Sequence, residues 1–283
     1  MAEPRFIEAN GVRVAFHDAG DGPALILLHG SGPGASGWSN YSRNVPVLAG
    51  RFRVICPDLP GFGASDMKPL DGKVPGFWAD TILALMDALG IAQAHFVGNS
   101  MGGMIALKIA LEWPERVGRL VLMGPGGGFP VTSQFPTPGI VNLLTFYEGE
   151  GPTIEKVRFF IEQAVFDRSV LTEALFAERL AAALDPRIVA QPPMRPGPGG
   201  PPEELWRDPR LARLPHDVLI LWGREDRILP LDCGFTFMKQ IPRARLLVVP
   251  QCGHWVQWEH ADEFNRQVAL FLGADDRNDK GEK

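Results

Sequence analysis

Apolar positions along the chain recur with two periods, two residues and about 3.6, and the order of the periods predicts the architecture. Arg5 to Ala9 and Val12 to Ala19 alternate on either side of Asn10-Gly11, a pair that tolerates the positive φ of a tight hairpin. Ala24 to Leu28, Arg53 to Cys56 and Val117 to Met123 are short, mainly apolar runs, as expected of strands covered on both faces. Phe77 to Leu89 places Ile82, Leu85, Met86 and Leu89 at helical spacing, with Gly90 as its stop. Asp217 to Trp222 and Ala244 to Val249 are two later strands. Leu231 to Gln240, opened by Pro230, and Trp258 to Leu272, with Ala261, Phe264, Val268 and Phe271 on one face, are two later helices. Strands alternating with helices specify an α/β fold with a mostly parallel central sheet and an N-terminal hairpin.

The alternation breaks once. From Ser133 to Asp208 no strand is evident, while Thr153 to Asp167 and Leu171 to Leu184 carry helical periodicity. This block is expected to be a helical lid, residues 133–208, inserted over the C-terminal edge of a sheet built from residues 1–132 and 209–273. Within it, Pro192 to Pro202 has nine Pro or Gly in eleven positions, which excludes a helix or central strand and predicts an extended hinge. The charged tail, 274–283, is expected to fray.

One strand, from His95, runs directly into Gly98-Asn99-Ser100-Met101-Gly102 and then into a helical pattern. The spacing G-x-S-x-G is that of a nucleophile elbow: a serine forced into a strained turn, with small residues two positions either side so that strand and helix can approach. Ser100 would stand above a helix N-terminus, where the Met101 amide can stabilise an oxyanion. The strand ending at Leu28 leads into His29-Gly30-Ser31-Gly32-Pro33-Gly34, which has neither of the common phosphate-binding glycine patterns. Beside an elbow, this loop supplies the second oxyanion amide, best placed at Ser31.

Composition narrows the choice. In 283 residues, 28 Lys and Arg against 33 Asp and Glu leave a net charge of −5, which argues against nucleic acid or an anionic membrane as partner. No apolar run approaches a membrane span and the first residues lack a signal-peptide core, so a cytoplasmic protein is expected. Cys56, Cys233 and Cys252 form neither a disulfide framework nor a zinc pattern, and the six histidines show no ligand spacing; no metal or cofactor is expected.

Two further groups sit just beyond late strands: Asp226, after Trp222, and His254, after Val249. Ser100, Asp226 and His254 thus follow the nucleophile, acid, histidine order that resembles the α/β-hydrolase fold. Glu225 is the alternative acid. Asp58 precedes the serine and is better suited to bracing its own turn. An aspartate at position 100 would have signalled a dehalogenase or epoxide hydrolase. A non-catalytic receptor on the same scaffold is opposed by the presence of all three groups, and an ordinary carboxylesterase is the nearest rival.

Longer stretches sharpen the likeness. H-G-S-G-P-G-A-S-G-W-S-N-Y-S-R-N (29–44), G-N-S-M-G-G (98–103), L-M-G-P-G-G (122–127), W-G-R-E-D-R (222–227) and C-G-H-W-V-Q-W-E-H-A-D-E-F-N-R (252–266) closely resemble the meta-cleavage product hydrolases. The resemblance implies a carbon–carbon hydrolase acting on a 2-hydroxy-6-oxo-hexa-2,4-dienoate, assembled as a homo-oligomer. It further implies that Asn99, Trp255 and Arg179 hold the 2-oxo-carboxylate end, with Gly32 and Asn40 of the oxyanion loop region beside it and Phe166 and Met101 as apolar walls. Each has an ordinary alternative: an elbow brace for Asn99, a packing neighbour for Trp255, a surface charge for Arg179, a helix cap for Asn40. The Pro/Gly run departs from the helical lid usual in that family.

Overall fold

A computed structural model describes residues 3–67, 74–193 and 204–273. Among these, eight strands form one sheet in the order β1-β2-β4-β3-β5-β6-β7-β8. They are β1 (Arg5–Ala9), β2 (Val12–Ala19), β3 (Ala24–Leu28), β4 (Arg53–Pro57), β5 (Ala94–Asn99), β6 (Val117–Met123), β7 (Val218–Gly223) and β8 (Ala244–Val249). β1 and β2 pair antiparallel, as do β2 and β4; every other pairing is parallel. At the hairpin, Asn10 and Gly11 both take positive φ, 53° and 70°, the handedness that matches strand twist.

The helices are α1 (Gly37–Tyr41), α2 (Val45–Leu48), α3 (Val74–Ala88), α4 (Met101–Glu112), α5 (Pro138–Thr145), α6 (Ile154–Ala164), α7 (Glu173–Ala183), α8 (Pro186–Ala190), α9 (Asp232–Gln240), α10 (Val256–Glu259) and α11 (Ala261–Leu272). They cover both sheet faces, and the core divides accordingly. Ile26, Leu28, Phe96 and Leu122 point into one apolar cluster with α3 and α4; Leu25, Leu27, Val97 and Val121 point into the other with α2 and α11. That two-sided burial is why the central strands read as unbroken apolar runs.

The strand order reverses around β3, since the chain goes outward to β4 and then returns to β5 on the other flank. A crevice therefore opens where the loops after β3 and β5 diverge, the usual ligand position in open α/β sheets. Four helices, α5 to α8, lie between β6 and β7, and no strand occurs among the described residues of that interval. They close over the crevice: the His254 amide donates to the Ala164 carbonyl at 2.7 Å, and the Phe160 ring and Arg179 crowd Gly32.

Two expectations need adjustment. α6 stops at Ala164 rather than Asp167, because Val165 is already extended (φ −118°, ψ 153°). The final helix is two helices, α10 and α11, broken at His260. Short α1, α2, α5 and α8 carry too few turns to show a period, although Thr137-Pro138 marks the start of α5: the Thr137 hydroxyl accepts the Ile140 amide at 3.2 Å. Most of the Pro/Gly run and all of the tail lie outside the described residues.

Candidate active site

β5 delivers the elbow. Ser100 sits at φ 54°, ψ −115°, outside the conformations a residue with a side chain prefers. The strain is held by Ser100 N–H donating to Met123 O at 2.8 Å and by its own carbonyl accepting from Met104 at 3.0 Å and Gly126 at 2.9 Å. Closeness explains the glycines: a Cβ on Gly98 would lie 2.4 Å from the Gly102 carbonyl carbon, and one on Gly102 would lie 2.1 Å from Leu28 O.

The loops after β7 and β8 bring Asp226 and His254 together. His254 Nδ1–H donates to Asp226 Oδ2 at 2.7 Å, and Asp226 Oδ1 accepts the Ile228 and Leu229 amides at 2.8 and 2.9 Å. Both side chains are nearly fully buried. With Nδ1 carrying the proton, Nε2 presents a lone pair; it is buried without a protein partner, and Ser100 lines the same cavity. That arrangement can take a proton from the serine hydroxyl. Glu225 is turned away, its carboxylate accepting from the Cys252 amide at 3.1 Å and Arg224 at 2.7 Å. Asp58 braces its loop, accepting the Gly37 and Ala64 amides, each at 2.8 Å.

The loop after β3 is ordered from below. Buried His29 donates from Nδ1 to Gly30 O at 2.8 Å and accepts the Leu59 amide on Nε2 at 2.9 Å. Burial lowers its pKa, so it stays neutral. Asn40 accepts the Gly30 amide at 3.3 Å and donates to Ser36 O at 3.2 Å; Ser36, not Asn40, caps α1. Ser31 lines the cavity with Ser100, and Met101 is the first residue of α4, whose leading amides have no carbonyl inside the helix to meet. The Met101 side chain, however, belongs to the core and forms no wall of the cavity.

Arg179 is the unexpected feature of the electrostatics. It is only 4 % exposed, and among the described residues it forms no ion pair, Glu178 acting on it only at longer range. Its Nη1 donates to Ser39 Oγ at 2.8 Å, its guanidinium lies 5.5 Å from the Trp255 ring centroid, and its Nε is buried without a partner. Burial pulls its pKa down to about 10, which still leaves it charged at neutral pH. Asn99 bridges the elbow to the histidine loop through Nδ2, donating to His254 O at 3.2 Å, while its Oδ1 is buried and unpartnered. Arg179, Asn99, Trp255, Gly32, Asn40, Ser31, Ser100 and His254 all line one cavity.

Phe166 is not among them. Because α6 ends early, the residue is 36 % exposed, and its amide donates to Glu259. The apolar wall is made instead by Phe160, Leu143 and Ile228. Phe160 was available in the sequence on the buried face of α6 with Val157, Ile161 and Ala164; Leu143 lies on the short α5. A second, apolar cavity adjoins this one, sharing Ser31, Gly32 and Leu143 and lined further by Phe62, Phe146, Tyr147 and Ile188. No metal-ligating cluster occurs among the described residues, and burial raises the Cys233 thiol to about 12 and pushes the Cys252 thiol up as well, so neither is a ready thiolate.

Gly32 sets the room available. A Cβ there would fall 2.7 Å from the Phe160 ring and 3.4 Å from Arg179 Nη2. Gly32→Ala is expected to raise KM by about tenfold and to lower Tm only modestly; an unchanged KM would place substrate elsewhere.

Such a sheet, with its serine at a strand-to-helix turn, defines the class: residues 25–267 match the Alpha/beta hydrolase family. Within that class the chain belongs to the meta-cleavage product hydrolases and is a hydrolytic enzyme. It is 44% identical over 269 residues to a 2-hydroxy-6-oxo-6-phenylhexa-2,4-dienoate hydrolase of Burkholderia cepacia, covering 92% of this chain and 91% of that one. It is 43% identical over 264 residues, with the same coverage of 92% and 91%, to a 2-hydroxy-6-oxononadienedioate/2-hydroxy-6-oxononatrienedioate hydrolase of Escherichia coli strain K12. Among solved structures, a meta-cleavage product hydrolase from Pseudomonas fluorescens IP01 superposes with TM-score 0.85 at 36% identity, over 96% of this chain and 98% of that one. The 2-hydroxy-6-oxo-6-phenylhexa-2,4-dienoate hydrolase from Rhodococcus sp. strain RHA1 superposes with TM-score 0.82 at 35% identity, over 96% and 100%. Among the described residues, no helix is long and apolar enough to cross a membrane.

Proposed function

We propose that the protein hydrolyses the C5–C6 bond of a 2-hydroxy-6-oxo-hexa-2,4-dienoate, giving a 2-hydroxypenta-2,4-dienoate and a carboxylic acid. One observation carries this choice over a simple esterase: Arg179, buried and with no ion-pair partner among the described residues, shares the cavity of Ser100 and His254. An ester needs no such group. A carbon leaving group does, because it departs only when a neighbouring keto acid is held in position to take up its electrons.

The residues divide the work. Arg179, Asn99 and Trp255 bind the 2-oxo-carboxylate, the guanidinium through its planar fork. The substrate ketonises, losing the enol proton from O2 and gaining one at C5. His254, oriented by Asp226, draws the proton from Ser100 as the oxygen nucleophile adds to C6, and the Ser31 and Met101 amides receive the oxyanion. The C5–C6 bond then breaks, its electron pair passing through C4 and C3 to O2, and protonation of O2 gives the dienoate. Where Ser100 is the nucleophile, a water deprotonated by His254 then attacks the acyl-serine and releases the carboxylic acid. Where Ser100 assists, that water is itself the nucleophile at C6, and both routes make the same demands on these three side chains.

Leu143, Phe160 and Ile228 give the rest of the described lining no second cation, which favours an apolar C6 group over a carboxyalkyl one. The test is loss of the yellow dienolate colour on extradiol cleavage products carrying phenyl, methyl or carboxyethyl at C6. Phenyl and methyl are expected to exceed carboxyethyl in kcat/KM by at least tenfold or so. Preference for carboxyethyl would refute the apolar assignment, and turnover of aryl esters alone would favour the esterase. In this scheme residues 133–208 are the lid over a core of 1–132 and 209–273. The enzyme works in the cytoplasm, a reading supported by three free buried thiols, and as a homo-oligomer, a reading supported by the family likeness and open to refutation by light scattering.

A further inference from the structure

We propose that Glu259 is a positioning residue that locks the His254 loop to the lid, so that the imidazole is in register only while the end of α6 is in place; this rests on the triad and lid assigned above. The carboxylate joins its own neighbourhood to a segment 93 residues earlier in the chain. Its Oε1 accepts the Gly253 amide at 2.7 Å, next to His254, and its Oε2 accepts the Phe166 amide at 2.6 Å, just past α6. The Asp167 amide faces it too, and the Cys252 thiol lies 3.7 Å from Oε1.

The two segments also touch directly. His254 N–H donates to Ala164 O at 2.7 Å, and a Cβ on Gly253 would lie 2.5 Å from that oxygen and 2.9 Å from the Val165 Cα. From the other side, His260 Nε2 bonds the Gln251 carbonyl at 2.8 Å, fixing the start of the loop to the α10–α11 corner. The loop bearing the imidazole is thus gripped between α10–α11 and the lid, and Glu259 is the only side chain among the described residues that bonds Gly253 on one side and Phe166 on the other. Because α6 carries Phe160, a cavity wall within ring-packing distance of Trp255, whatever moves α6 moves the imidazole as well.

The chemistry requires a carboxylate in particular. Both oxygens face N–H donors, so an amide of the same shape turns an NH2 against one of them and loses that bond. A lost tether lets the imidazole wander by a fraction of an ångström to an ångström, which is costly when the nucleophile must be met in line.

The test is a cycle read on dienolate decay. E259Q and F166P each cut one arm; Val165 is already extended, the conformation a following proline demands, so F166P removes the amide with little strain there. F166P is compared with F166A, which loses the ring and keeps the amide. We expect E259Q to lower kcat by on the order of 10- to 100-fold, with a smaller change in KM, and F166P to fall below F166A by a similar factor. The double variant E259Q/F166P should lose no more than the worse single. Glu263, half-buried and bonded only to Arg266 and Gln267 on its own helix among the described residues, provides the control: E263Q keeps wild-type kcat. The deshielded proton of the His254–Asp226 bond should broaden in E259Q and F166P and stay sharp in F166A. Losses that multiply in the double variant, an E259Q enzyme with wild-type kcat, or F166P equal to F166A would each overturn the proposal. Should E259Q not fold, F166P against F166A decides alone. Should the wild type leave dienolates untouched, the carbon–carbon assignment fails by itself and the same cycle is read on an aryl ester.

Discussion

Ser100→Ala is expected to slow dienolate cleavage by on the order of a thousandfold or more while leaving substrate binding nearly intact. The reason lies in the division of the cavity. The groups placed to hold the carboxylate end, Arg179 and Trp255, bond neither Ser100 nor each other through its hydroxyl, so removing Oγ empties the nucleophile's place and little else. His254 keeps its bond to Asp226 and its unpartnered Nε2, now with no hydroxyl to serve. The backbone strain stays, because alanine retains the Cβ that makes φ 54° unfavourable. Ser100→Gly would relieve that strain and stabilise the fold by about 1–2 kcal/mol, with the same loss of turnover. Stopped-flow absorbance separates the two effects: a bound, coloured complex that persists in Ser100→Ala fits the assignment, and decay at the wild-type rate would end it.

What could be seen in the sequence and what could not follows the range of the interactions. The hairpin and strands β3, β6 and β8 begin and end where alternation, apolar runs and Asn10-Gly11 place them, since each depends on its own residues and on burial of two sheet faces. The elbow was equally legible, because its spacing is a local steric demand at Gly98 and Gly102. Contacts across the chain left no such trace. Nothing near Phe166 announces that its amide belongs to Glu259, and the helical period carries on past Ala164 although the chain does not. Arg179 illustrates the limit best: on α7 its neighbours Glu178 and Ala181 resemble a solvated face, and only the approach of α1, Trp255 and Gly32 makes it one of the most buried charges in the protein. Family likeness, not periodicity, had pointed to it.

Arg179→Leu is the second large effect, and its sign differs between function and stability. A guanidinium held away from water without an ion-pair partner is costly, and among the described residues this one has neither such a partner nor an acceptor for its Nε. Leucine removes that cost, so the free enzyme is expected to melt at the same or a higher temperature. The substrate supplies the missing anion, and cutting one partner from a buried, hydrogen-bonded charge pair costs roughly 2–5 kcal/mol; kcat/KM for the dienolate should therefore fall by about 30- to several thousand-fold. Lysine at this position keeps a charge but not the planar fork over the Trp255 ring, and should recover only part of the loss. A neutral aryl ester has no carboxylate to present, so its hydrolysis should suffer far less. Steady-state kinetics on both substrates, with melting curves for each variant, separate the possibilities. Equal losses on ester and dienolate together with a lower Tm would mean that the guanidinium holds α7 onto α1 through Ser39 and binds nothing.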